Sequence, residues 1–336
     1  MIVVLKHTAN QNDIDNLIFS LERLGVQPHV SYGTYKTIIE ILGDATHIDP
    51  NQILSLEFVE SVLPISKPIQ KVSRDFQAAD SVIDCGFGCK IGGNHFQIIA
   101  GPCAVESKTL FPIAQAVHES GAHMLRAGAY KPRTSPYSYQ GMGKQGLALL
   151  SETREEFQMP IVTEIVDVRD INTFLEYNID VLQVGARNCQ NFSLLKELGR
   201  IDKPILLKRG PATTLDELLQ AAEYILSGGN NRVILCERGI RGFDSHTRNI
   251  FDVSSICVLH DLTHLPVIAD PSHATGHAKY VSSAALAATA AGCNGLEIEV
   301  HTNPNQALSD PEQALTPNQF RTAVKKIFAV RSALYH

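Results

Sequence analysis

Basic side chains recur in this sequence where a short apolar run has just ended. Arg126 closes one run and is followed by Lys131 and Arg133; Arg187, Lys208-Arg209 and Arg238 close three others. Guanidinium forks suit the oxygens of phosphate and carboxylate, and gathered cations repel until an anion neutralises them. Seven bases at one mouth therefore indicate substrates with more than one anionic group, although the net charge is -6. The plainer alternative is that each base pairs with a local acid. Cys103, His273 and Glu299 also stand at the ends of apolar runs, with Asp310 shortly after the last. Thiol, imidazole and carboxylate together make a divalent-metal shell of mixed softness, leaving Mn²⁺, Fe²⁺, Co²⁺ and Zn²⁺ all open. Taken singly, a buried cysteine is a core hydrophobe, so the ligand reading rests on joint placement.

Such a constellation needs a scaffold that gathers many strand ends. From Phe96 onward, apolar strands alternate with helical stretches such as Leu215–Leu226 and the Ala-rich Ala278–Ala291. The expected strands are Phe96–Ala100, His123–Arg126, Ile161–Glu164, Val181–Val184, Ile205–Lys208, Val233–Cys236, Val267–Ala269 and Gly295–Val300. Eight β/α units over residues 96–336 match a (β/α)₈ TIM barrel, which collects chemistry at the C-terminal strand ends. A doubly wound open sheet is the competing α/β architecture. Residues 1–65 read as a separate α+β unit, with strands at Ile2–Leu5, Gln27–Tyr32, Thr37–Leu42 and Val59–Leu63 and helices at Asn12–Leu24 and Asn51–Leu56. That βαββαβ order is ferredoxin-like. Residues 66–95 are then a linker and a glycine-rich hairpin.

Composition narrows the remaining classes. The acidic balance and the lack of a long basic run argue against nucleic acid as a partner. No stretch of about 20 apolar residues is present for a membrane span. Seven scattered cysteines without a secretory signal argue for a reduced, cytoplasmic setting rather than a disulfide framework. Cys189, Cys236, Cys257 and Cys293 read as barrel packing, and Cys85 and Cys89 lack the second pair of a zinc knuckle. Gly141-Met-Gly-Lys-Gln-Gly146 follows a loop rather than a strand, which removes the context of a dinucleotide site.

Several motifs together carry a resemblance. Gly101-Pro-Cys103, Leu125-Arg-Ala-Gly-Ala-Tyr-Lys-Pro-Arg-Thr-Ser-Pro-Tyr137, Gly185-Ala-Arg-Asn188, Leu207-Lys-Arg-Gly210, Cys236-Glu-Arg-Gly239 and Asp270-Pro-Ser-His273 stand in this order. The chain resembles the 3-deoxy-D-arabino-heptulosonate 7-phosphate (DAHP) synthases of type Iβ, some of which carry an N-terminal ferredoxin-like regulatory domain. The resemblance implies condensation of phosphoenolpyruvate with erythrose 4-phosphate at the head of the shikimate pathway. It implies metal binding by Cys103, His273, Glu299 and Asp310. Phosphoenolpyruvate would be held by Arg126, Lys131, Arg187, Lys208 and Arg238, the second substrate by Arg133, Thr134 and Ser135, and Ala186 would be a further substrate-binding residue. Glu164 is the candidate for placing the attacking water and Lys131 for protonating the new alkoxide. The octulosonate 8-phosphate synthases share much of this pattern but resemble Lys-Ala-Asn-Arg-Ser where this chain has Lys131-Pro132-Arg133-Thr134. Gly242 departs from the type Iβ pattern, where many members carry Thr. By the same resemblance, His29 and Ser31 are expected to contact an aromatic amino acid effector, and a homotetramer is expected. A non-catalytic amino-acid-binding barrel is the reading from another class; the retained metal and phosphate residues argue against it.

Overall fold

The computed structural model of the chain describes residues 1–336 apart from 34–35, 43–44, 46–47, 64–68, 134 and 336. Two units divide it, Met1–Pro68 and Ile69–His336. The expected boundary at 65–66 lies outside the described residues.

In the small unit, Asn10 starts a helix over Gln11–Arg23 through a reciprocal capping box with Asp13. Its Ile14, Leu17 and Leu21 recur at helical spacing and are buried, each contributing roughly 1.5–3 kcal/mol. They meet Val3 and Leu5 of β1 (Ile2–Leu5) and Ile39 and Ile41 of β3 (Thr37–Leu42). With β2 (Gln27–Tyr32) and β4 (Val59–Leu63) these form an antiparallel sheet in the order β2-β3-β1-β4. A short helix, Pro50–Leu54, packs against β4. It begins one residue before the expected Asn51 because Asp49 caps it and Pro50 suits the first helical position.

In the large unit eight parallel strands close a barrel: β7 (Gln97–Gly101), β8 (Met124–Arg126), β9 (Ile161–Ile165), β10 (Val181–Val184), β11 (Ile205–Lys208), β12 (Val233–Glu237), β13 (Val267–Ala269) and β14 (Gly295–Glu299). Closure excludes the open sheet. Residues on both strand faces are buried, the pattern expected of a barrel wrapped by helices. Leu182, Leu207 and Ile298 face the helices, while Val181, Leu206 and Ile268 point inward. The hairpin strands β5 (Ile83–Asp84) and β6 (Lys90–Ile91) are part of this unit. Ile83, Cys85 and Ile91 pack on the inward residues near the N-terminal strand ends, closing that end of the barrel with an apolar plug. The open mouth is therefore at the C-terminal ends.

Three of the four cysteines assigned to packing, Cys189, Cys236 and Cys293, are buried, but Cys257 is exposed. It lies on the helix Ser254–Leu262, whose buried stripe is Ser255, Ile256 and Leu259, so its position turns outward. No helix among the described residues is long and apolar enough to cross a membrane.

Candidate active site

Neighbouring strands bring the metal-type donors together. β14 pairs with β7 so that Glu299 lies opposite Gly101, two residues before Cys103. His273 belongs to the short helix Pro271–Thr275 that follows β13, whose N-cap Asp270 accepts from the His273 amide at 2.9 Å. One ligand atom each from Cys103, His273 and Glu299 then lies within 4.8 Å of the others. The His273 Nδ1 bonds the Asp270 carboxylate at 2.7 Å, orienting the ring with Nε2 towards Glu299. A carboxylate behind a histidine is the usual way a ligand imidazole is fixed. Asp310, in a left-handed conformation at φ 50°, accepts from the Cys103 thiol at 3.0 Å. Non-glycine residues in that region are strained and concentrate at functional sites. Burial, with Glu299 nearby, pushes the Cys103 thiol up to about 12 against the pull of Lys131 and Arg126. For Asp310 burial acts upward, but hydrogen bonds from Cys103 and Ser309 and the nearby His273 and Arg248 hold it well below the usual carboxylate range. The buried Gln313 amide donates to Glu299 at 2.6 Å, while its Oε1 has no partner among the described residues. This donor set fits a divalent cation: three mixed ligand types, a fourth carboxylate alongside, and supporting groups on His273 and Glu299.

The bases split into two groups. Arg126 and Lys208 lie at the floor, almost fully buried, and both have acid partners. Arg126 donates to Glu297 and Glu299, each at 3.0 Å, and Lys208 to Asp270 at 2.5 Å and Glu297 at 2.9 Å. With His273 these residues close a ring: Arg126, Glu297, Lys208, Asp270, His273, Glu299. For Arg126 and Lys208 burial disfavours the charge, but these acids outweigh it and keep both firmly protonated. The amide of Gln183, oriented to donate, adds contacts to Glu297 at 3.3 and 3.2 Å. Arg187 and Arg238 form the second group. Arg238 is buried, its side chain's one hydrogen bond among the described residues is a long one to its neighbour's carbonyl, and desolvation lowers its pKa. Arg187 is exposed and has no acidic partner among the described residues.

Above this floor is a cavity of about 230 Å³, lined among others by Arg126, Lys131, Arg133, Glu164, Arg187 and Arg238. Ala186, Lys208, His273 and Asp310 also border it. Lys131 donates to the Cys103 carbonyl at 2.9 Å and its sulfur at 3.0 Å, placing its ammonium between the metal-type cluster and the cavity. Glu164 on β9 reaches in over Gly185, where a Cβ would collide with its carboxylate. Arg133 hydrogen-bonds Ser309 and the carbonyl of Tyr139.

Some expected site residues lie elsewhere. Ser135 is exposed, accepts from the Tyr137 amide and does not border the cavity. Thr134 lies outside the described residues. Arg209 turns away from the mouth to Glu237 and Asp252, both at 2.9 Å, following the plainer ion-pair alternative. His29 and Ser31 are exposed on one face of β2, opposite Glu40 and Ile38 of β3. At Gly242, a Cβ would come within 2.5 Å of Ile250, so the glycine accommodates that side chain. The sequence reading missed Gln183, Arg248, Ser309 and Gln313 because their partners are remote in sequence. Ser309, for instance, meets Cys103 at 3.0 Å across 206 positions.

Comparison with known proteins gives one consistent outcome. The DAHP synthetase I family profile matches residues 71–334, and the DAHP synthase ferredoxin-like domain matches residues 1–67. The phospho-2-dehydro-3-deoxyheptonate aldolase of Thermotoga maritima is 44% identical, covering 99% of this chain and 98% of its own. A crystal structure of that aldolase (DAHP synthase) superposes with a TM-score of 0.83 at 43% identity, over 99% of this chain and 97% of that one. The 2-dehydro-3-deoxyphosphooctonate aldolase of Syntrophotalea carbinolica is 31% identical over 71% of this chain and 92% of its own. With its profile spanning the whole barrel unit and a ferredoxin-like domain ahead of it, the chain belongs to the DAHP synthetase I family.

Proposed function

We propose that the chain condenses phosphoenolpyruvate with D-erythrose 4-phosphate and water, giving 3-deoxy-D-arabino-heptulosonate 7-phosphate and inorganic phosphate. The observation that carries this reading is the pair of cavity arginines, Arg187 and Arg238, without acid partners among the described residues, above a floor whose bases are already neutralised. Guanidinium groups without acid partners among the described residues, lining one cavity, favour a highly charged anion such as phosphoenolpyruvate. Full-length likeness to a heptonate aldolase, against partial likeness to octonate aldolases, favours the four-carbon sugar phosphate.

Cys103, His273, Glu299 and Asp310 would hold the divalent ion; Mn²⁺, Fe²⁺, Co²⁺ and Zn²⁺ all suit this donor set. When bound, it supplies Lewis-acid polarisation of the aldehyde oxygen. Arg187, Arg238 and Lys208 hold the phosphate and carboxylate of phosphoenolpyruvate, with Arg126 and Ala186 beside them. Arg133 holds the second substrate, with Thr134 next to it in the chain; Ser135, which does not border the cavity, is left out of this role. Carbon 3 of phosphoenolpyruvate attacks the aldehyde carbon, and Lys131 gives a proton to the oxygen that becomes a hydroxyl. Glu164 orients a water that adds at carbon 2. The hemiketal phosphate then loses inorganic phosphate with cleavage of its C–O bond. The small unit is proposed to bind an aromatic amino acid through His29 and Ser31, in a homotetramer; its match to the family's ferredoxin-like domain supports this.

The test is phosphate release from phosphoenolpyruvate with erythrose 4-phosphate or arabinose 5-phosphate, before and after chelation. Turnover with the four-carbon sugar, lost on chelation and restored by Mn²⁺, is expected. Turnover with the five-carbon sugar alone would select the octulosonate reaction instead.

A further inference from the structure

We infer that Arg248 is a binding residue for the phosphate of the aldehyde substrate, completing with Arg133 a two-armed anion clamp at the rim of the cavity. This rests on the reaction proposed above and adds a residue to it.

Arg248 lies on the return limb of the loop after β12. Residues 240 and 250 exchange backbone hydrogen bonds, both 2.9 Å, closing that loop on itself. The return limb is also tied to the segment after β13: the Arg248 amide donates to Thr275 and the Asn249 amide to Ala274, each at 3.0 Å. The Asn249 side chain donates to the His273 carbonyl at 2.9 Å. Gly276, at φ 71°, permits this approach, since a Cβ there would come within 2.7 Å of the Arg248 Cβ. The backbone of Arg248 is thus fixed by the element that carries His273.

Its side chain is free to act. The guanidinium is 38% exposed, borders the cavity and makes one hydrogen bond among the described residues, to Asp310 Oδ1 at 3.1 Å. Arg133 approaches the other oxygen of the same carboxylate at 3.8 Å. β8 and β12, from whose ends these arginines come, are four places apart in an eight-stranded ring and face each other across the mouth. Two guanidinium groups arriving from opposite sides within 4 Å of one carboxylate are spaced to grip one small tetrahedral anion. The Asp310 carboxylate is already claimed by Cys103 and Ser309, so most Arg248 donors remain for a ligand. Arg126 and Lys208 are committed to the floor ring, Lys131 bonds Cys103, and Arg187 and Arg238 are assigned to phosphoenolpyruvate, which leaves the rim pair for the second substrate's phosphate.

The experiment compares Arg248→Gln and Arg248→Lys with wild type in steady-state kinetics, measuring bound metal in each. The expected result for Arg248→Gln is a KM for the aldose phosphate raised at least tenfold. The KM for phosphoenolpyruvate should stay within twofold and bound metal should match wild type, with Arg248→Lys recovering part of the loss. Inorganic phosphate should also weaken as a competitor of the aldose phosphate in the Gln variant. An aldose phosphate KM within twofold of wild type overturns the inference. So does an equal rise in both KM values, or a loss of metal, since these mark general electrostatics or a merely structural tie to Asp310. The comparison uses whichever aldose phosphate wild type accepts, so a wrong sugar assignment and a wrong role for Arg248 give separate results.

Discussion

Glu164 and Gly185 show how one missing methyl group arranges this site. Gly185 ends the β10 run at an ordinary backbone angle, so its glycine is needed for space: a Cβ would overlap the Glu164 carboxylate. The obstacle is the far end of a flexible side chain, which can move at little cost to the fold. Gly185→Ala should therefore displace Glu164 from the cavity, lowering kcat at least tenfold while the melting temperature shifts by only a few degrees, about 1 kcal/mol or less. Glu164→Gln, which leaves the space unchanged, should lose turnover to a similar extent. If both variants turn over like wild type, Glu164 does not place the water. The residue types at this mouth were legible because phosphate and metal chemistry admit few side chains. Their division of labour was not. Arg126 and Arg209 each follow an apolar run, yet Arg126 meets acids 171 and 173 positions away at the floor while Arg209 turns to Glu237 and Asp252. That difference depends on pairings between distant strands, which local spacing does not encode.

At the scale of elements, Arg209 ties the end of β11 to the end of β12 and to the helix Ser254–Leu262. Its guanidinium is shared by Glu237 and Asp252 and also donates to the Thr213 carbonyl at 2.9 Å. Burial acts to raise the Asp252 carboxyl, but hydrogen bonds from Ser254 and Arg209 outweigh it and leave the group below its usual value. A depressed folded-state value means stability that is present above the unfolded value, about 3.9, and lost as pH falls through the lower folded one. Asp252→Asn should thus lower stability by about 1.5–3 kcal/mol at neutral pH, the range for a hydrogen bond to a charged group. The gap to wild type should hold from pH 7 to about 4 and close below it, as read by thermal melts at each pH. A gap independent of pH down to 3 would exclude the charge as its source. The elements themselves were largely readable: β10, β11 and β13 have the bounds expected from the sequence. β12 runs one residue further, to Glu237, and β7 takes in Gly101. Both ends pair with a neighbouring strand, and such pairing extends a strand past its apolar residues.

The whole molecule is built from two units with separate cores, one around Val3, Leu21 and Ile39 and one around the barrel. A domain with its own core is able to fold alone. Every residue given a role in catalysis, substrate binding or metal binding above lies after Ile69, and the apolar plug that closes the barrel's N-terminal end belongs to the same unit. A chain beginning at Ile69 should therefore fold, hold its metal and turn over phosphoenolpyruvate with the aldose phosphate. Inhibition by tyrosine or phenylalanine, where the full chain shows it, should be absent from the shortened one, because His29 and Ser31 are removed with the small unit. His29→Ala in the full chain provides the matching point change, weakening inhibition while both substrate KM values stay near wild type. Inhibition that survives in the shortened chain would place the effector on the barrel. A shortened chain that melts cooperatively but does not turn over would show instead that the catalytic unit depends on its neighbour.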